Sequence, residues 1–163
     1  MSKEALSFFK NLQNGITSGI NSIKIGKVVK LKPETMMIDV LPLPSEDNAI
    51  ILNVPISTIQ TKDFLVYYPL QVDDLVVLAF SDNDTDNILQ GEDSVATERR
   101  HDVTDCICLG SIITLKDNIP LEDKENLVIQ NKENTASVVI KKDGDIIIKA
   151  KNFKVEADRI DLN

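Results

Sequence analysis

Apolar residues open the chain at helical intervals. In SKEALSFFKNLQNGITSGINS, Leu6, Phe9, Leu12, Ile16 and Ile20 are spaced by three and four, the repeat of one face of an α-helix. An amphipathic helix is predicted over residues 1–21. Gly15 and Gly19 weaken it, because glycine inside a helix costs about 0.5–1 kcal/mol relative to alanine. Such a helix either covers part of a core or docks on a neighbouring subunit; its mixed polar face suits membrane binding least.

From residue 23 to 80 the texture changes to short β-branched runs: SIKIGKVVKL, TMMIDVLPL, NAIILNVPIS, DFLVYYPL and DLVVLAFSDND. Pro33, Pro42, Pro44, Pro55 and Pro69 punctuate them, as proline does at strand ends and sheet edges. Several short strands with little helix between them predict a small barrel or sandwich. A barrel of the oligonucleotide/oligosaccharide-binding (OB) type is the most economical choice. Residues 82–105 then turn polar and charged, which reads as a solvated loop. Asp82, Asp84 and Asp86 alternate as calcium ligands do, but the glycine and terminal glutamate of an EF-hand are missing, so only looser cation binding stays open.

The last forty residues repeat. Val138 and Ile140, Ile146 and Ile148, Phe153 and Val155, and Ile160 and Leu162 form same-face apolar pairs whose first members are seven or eight residues apart, a strand-and-turn period. Alternation puts Ile146, Ile148 and Ala150 on one face and Asp145, Ile147 and Lys149 on the other. Lys142, Asp143 and Gly144 supply a tight turn. Strands this short cannot bury an apolar face in a lone ribbon. Burial must come from packing on the barrel, from a single-chain solenoid, from a larger sheet that the repeats finish as a plain meander, or from identical copies wound around an axis. Three copies close into a prism with apolar faces inside and edges paired. The expected organisation is therefore mainly β: an N-terminal helix (1–21), an OB-like barrel with a connector (22–120), and a trimeric β-helix or β-prism stalk (121–163). The stalk begins a trimer core of Val138, Ile140, Ile146, Ile148, Phe153, Val155, Ile160 and Leu162.

Composition narrows the function classes. The chain has 163 residues, 26 acidic against 18 basic side chains and a net charge of −8, which disfavours a phosphate backbone as partner, since that binding relies on Lys and Arg displacing counterions. No eighteen-residue apolar run occurs, and the first residues lack a secretory pattern, so synthesis in the cytoplasm is expected. Cys106 and Cys108, two apart on a predicted strand, read as small buried apolar residues. His101 is the sole histidine. A zinc site would need it together with both cysteines and a carboxylate, at none of the usual spacings; no cofactor is expected. With one histidine, no nucleophile motif and no spare carboxylate pair on a groove, the chain is expected to be no enzyme, and His101 and Asp105 to be a structural pair.

PLQVDDLVVLAFSDND (69–84) and ERRHDVTDCICLG (98–110) resemble the barrel domain of phage baseplate and tail-tip central spike proteins. Asp74 stands where an acidic residue precedes an apolar strand in that family, and Arg99, His101 and Asp105 match its segment closing the barrel before the stalk. The order of barrel, connector and repetitive stalk over residues 22–163 is similar too. The resemblance implies a homotrimer mounted on tail hub or baseplate proteins at the virion tail tip. Such a spike pierces the host cell envelope by mechanical contact when a contractile phage tail or phage-like bacteriocin acts. Two departures stand out: there is no His-x-His iron-binding apex, and the stalk is short. The other expectations are a hub or adaptor subunit without a puncturing role, and an OB-type module binding nucleic acid or carbohydrate. The second needs aromatic platforms in a basic groove, whereas Tyr67 and Tyr68 lie in acidic surroundings.

Overall fold

The computed structural model describes residues 3–121 and 123–161. It divides into two compact units, 1–113 and 114–163, against an expected boundary at 120/121. The chain is mainly β, with the N-terminal helix α1 at Lys3–Gly19.

In the first unit a five-stranded antiparallel sheet is built from β1 (Ile23–Lys32), β2 (Met37–Pro42), β3 (Ile51–Pro55), β6 (Leu75–Phe80) and β7 (Cys106–Ser111), in the order β3-β2-β1-β6-β7. β4 (Ile59–Gln60) and β5 (Leu65–Val66) make a separate two-residue pairing, so DFLVYYPL contributes much less strand than its β-rich composition suggested. Register slips at Val28/Lys30, Ile38/Val40 and Val77/Leu78 act as bulges, which bend a strand and increase its twist. The sheet curls far enough that Ile56, just beyond β3, bridges in parallel to Cys108 of β7, and the Ser57 amide donates to the Cys108 carbonyl at 2.8 Å.

The inner face of this curl is the core: Val28, Ile38, Val40, Ile51, Val54, Leu70, Val76, Leu78, Cys106 and Cys108 are all buried, with Leu31, Ile56 and Phe80 packed on them. One glycine is required by the tightness of this packing. A Cβ on Gly26 would lie 2.6 Å from Val40 Cγ2 and 2.9 Å from Leu78 Cδ1, inside any real contact distance. Burial pushes the Cys106 thiol up to about 12 and raises that of Cys108; both cysteines are free and behave as the small apolar residues expected of them.

The second unit is a three-stranded antiparallel meander, β8 (Leu127–Gln130), β9 (Ser137–Ile140) and β10 (Ile146–Lys149), in the order β10-β9-β8. Its turns are locally specified. The Asn131 side chain accepts from the Thr135 and Ala136 amides at 2.9 and 3.0 Å. Gly144, at φ 100°, donates to the Lys141 carbonyl at 3.0 Å in the predicted Asp-Gly turn.

Within the single chain these strands form no β-helix. The strand pattern read into 152–162 also stops short: residues 150–161 contain no strand. Alternation alone does not make a strand, because each backbone N–H and C=O needs a paired neighbour, and no neighbour is offered to that segment among the described residues. Phe153, Val155 and Ile160 are exposed, while Leu162 lies outside the described residues.

Candidate functional site

Two arrangements combine residues distant in sequence. The first is one face of the meander. Strand register aligns Leu127, Ile140 and Ile146 in one row and Ile129, Val138 and Ile148 in another. Side chains two apart share a face, so these six form a continuous apolar surface two rows deep and three strands wide. Four of them, Leu127, Ile129, Ile146 and Ile148, are between 50% and 65% exposed. Uncovered, they present on the order of 500 Å² of accessible surface, at the upper end of the largest apolar patch an ordinary monomer shows. The opposite face carries Val128, Val139 and Ile147 in one row but Gln130, Ser137 and Lys149 in the next.

Sequence reading placed Val138, Ile140, Ile146 and Ile148 on a common face, and the structure brings them together. It missed Leu127 and Ile129, although NLVIQN carries the same alternation; counting that run as a full unit would have found them. Phe153, Val155 and Ile160 are not brought into this face by any strand pairing.

The second arrangement is a buried ionic cluster where the 82–105 loop meets the ends of β6 and β7. Arg99 donates through Nε to Asp105 Oδ2 at 2.7 Å and through Nη2 to Asp105 Oδ1 at 2.8 Å, a two-point contact. The same Nη2 lies 3.0 Å from Asp84 Oδ1 and 3.1 Å from Asp86 Oδ2. Asp105 Oδ1 also accepts from the Thr85 amide at 2.8 Å and the Thr85 hydroxyl at 2.9 Å. Asp84 accepts from the Thr97 hydroxyl at 2.6 Å and the Asp86 amide at 2.9 Å.

Asp84 and Asp105 are completely buried, yet every donor around them favours the ionised form. The Arg99 guanidinium, above all, holds the Asp105 carboxyl down at about 2 against the cost of burial, helped by Thr85. Asp84 is lowered first by Thr97 and then by the Asp86 amide. Arg99 is raised further, by its bonds to Asp105.

The solvated-loop reading of 82–105 holds for most of the segment, which is exposed or half-buried, but not for Asp84, Thr85 and Asp105, which are buried. Six residues apart, Arg99 and Asp105 fold back on each other, and Asp84 and Thr85 are pulled inside with them. Among the described residues, Asp84, Asp86 and Asp105 are the one group that brings three potential cation ligands together. The cation lying among them is Arg99 itself, whose five donors and planar fork match carboxylates. Each carboxylate oxygen of Asp84 and Asp105 already accepts at least one hydrogen bond, which makes the cluster a fixed clamp.

His101 does not join it. In a left-handed conformation (φ 51°), it places Nδ1 3.4 Å from Asp82 Oδ1, and its carbonyl accepts from the Asn21 side chain at 2.8 Å. The expected His101–Asp105 pair is thus replaced by His101–Asp82 and Arg99–Asp105. Asp102 turns to the Thr104 amide and hydroxyl. Nor do His101 and the cysteines converge, since Cys106 and Cys108 face the core. Asp74 caps its own turn: its Oδ2 accepts from the Gln71 amide at 2.7 Å, and its carbonyl accepts from the Val28 amide at 2.9 Å. This fixes the entry to β6 against β1.

No protein-family model matches the chain, and no curated protein is detectably similar to it.

Proposed function

We propose that this chain is a structural, non-enzymatic subunit of a phage tail or phage-like bacteriocin, the homotrimeric central spike carried on the tail hub or baseplate. In that role it presses on the host cell envelope mechanically during contraction. The observation that carries the reading is the six-residue apolar face of the meander. A three-stranded sheet with nothing over its apolar side is incomplete as a monomer, and three copies around an axis would turn these faces inward.

Covering them removes on the order of 500 Å² per chain, worth roughly 10 kcal/mol at 25 cal/mol per Å² before ordering costs. β8 and β10 are the outer strands of the meander, so pairing with other copies there would complete the prism or β-helix of the stalk. Residues 150–161, alternating but unpaired, would gain partners by the same winding. The five-stranded curl of the first unit, with its bridge from Ile56 to Cys108, supports an OB-type barrel, because that fold is a five-stranded, partly open barrel. The Arg99 clamp, in this reading, stiffens the first unit of a chain that bears mechanical load.

Particles assembled without the chain test the role. Complete tails that fail to deliver their contents fit the spike. Absent tails fit a hub or adaptor subunit, and normal delivery contradicts both.

A further inference from the structure

The amphipathic helix α1 carries a second run of exposed apolar side chains. Leu6, Phe9 and Leu12 are 56%, 57% and 48% exposed. Leu6, Phe9 and Gln13 are spaced by three and four, and the sequence continues that alternation to Ile16 and Ile20. Steps of three and four in turn are the a/d seam of a coiled coil, with Leu6 and Gln13 at a and Phe9 at d.

A shallow depression on the same helix is lined by Leu6, Phe9, Lys10 and Gln13. These positions are i, i+3, i+4 and i+7, the four residues that surround a knob from a facing helix. The helix thus offers both knobs and a hole for them, so the partner it fits is another copy of itself. Leu12 and Ala5 fall on the flank of the seam at g, widening the apolar stripe beyond the narrow a/d seam of a two-stranded coil toward the broader face of a bundle. A polar residue at a single a position fixes register, and Gln13 stands there.

We infer that α1 packs in parallel against the α1 helices of the other copies, so that the trimer is held at its N-terminal end as well as through the meander. The inference rests on the trimeric reading above. Covering Leu6, Phe9 and Leu12 buries on the order of 300 Å² per helix, well under the roughly 800 Å² per partner of a stable interface. A helix this short is marginal alone. The contact therefore follows from association elsewhere: once the meanders hold three chains together, the helices meet at high effective concentration. A lipid surface suits α1 less, because its only basic residues are Lys3 and Lys10, where interfacial helices are rich in Lys and Arg.

The test links full-length chains through introduced thiols, the native Cys106 and Cys108 being buried. A short thiol-to-thiol linker joins Gln13→Cys copies across the axis at least tenfold more than Asn11→Cys copies, whose thiols lie on the opposite side of the helix; the mass in solution is measured on the same samples. A three-chain mass with preferential linking at position 13 supports the inference. A three-chain mass with equal or absent linking at both positions overturns it and leaves the trimer standing. A one-chain mass overturns the trimer and the inference with it. Sedimentation of the full-length protein with anionic phospholipid vesicles, abolished by Phe9→Asp, would assign α1 to a membrane and overturn the inference too.

Discussion

The two units of this chain solve the same problem in opposite ways. In the first, a curled sheet brings its own two ends together at Ile56 and Cys108, so one face closes over itself. Among the described residues, ten apolar side chains form one buried cluster there. In the second, three strands of similar composition stay too narrow to curl, and among the described residues none of the buried apolar ones belongs to it. The difference is one of layers rather than hydrophobicity. A sheet stabilises a fold only when something covers its apolar side; the curled sheet largely covers itself, and in the trimeric reading the meander obtains its cover from other chains.

That contrast can be broken most severely at Ile148. Replacing it with Asp in a trimer brings three carboxylates into one apolar interior, an uncompensated burial. Ile148→Asp is expected to abolish association, reducing the mass in solution to one chain while the curled sheet of the first unit stays folded. Both tyrosines, Tyr67 and Tyr68, lie in the first unit and tryptophan is absent, so intrinsic fluorescence follows the barrel separately. An Ile148→Asp protein that remains oligomeric would place the interface elsewhere.

The clamp comes next. Arg99→Ala leaves Asp84 and Asp105 buried without their cation and should lower barrel stability by about 3–5 kcal/mol, read as an earlier fluorescence transition in urea. Gly26→Ala forces a methyl against Val40 and Leu78; it should cost about 3 kcal/mol, the upper end of overpacking penalties, and leave the oligomer mass unchanged.

Acid has a smaller effect with a defined window. Asp105 titrates at about 2 in the folded chain against an ordinary 3.8, so between those values the unfolded chain binds the proton more readily. The stabilisation, on the order of 2 kcal/mol, is complete above about pH 4 and is lost as pH falls through 2. Arg99→Ala should remove most of this dependence, measured as stability against pH by the same fluorescence.

Much of this was legible in the sequence where pattern is local. Helix α1 follows from Leu6, Phe9 and Leu12. The faces of β9 and β10 follow from Val138, Ile140, Ile146 and Ile148, and their turn from Asp143 and Gly144. What failed depends on partners that no local pattern contains. Phe153 and Val155 alternate like a strand but find no edge to pair with. Asp84, embedded in a run of polar residues, looks solvated until Arg99 reaches it from fifteen positions away. Arg99, His101 and Asp105 share one segment, and local sequence does not tell which of the first two pairs with Asp105; the structure gives it to Arg99.

The central claim is that the meander's apolar face is covered by other copies of the chain. The mass of the purified full-length protein by static light scattering tests it most directly. The account requires three times the 18.1 kDa of one chain, unchanged on dilution through the micromolar range. A mass of one chain under those conditions would contradict it, leaving the face of Leu127, Ile129, Ile146 and Ile148 to a different partner.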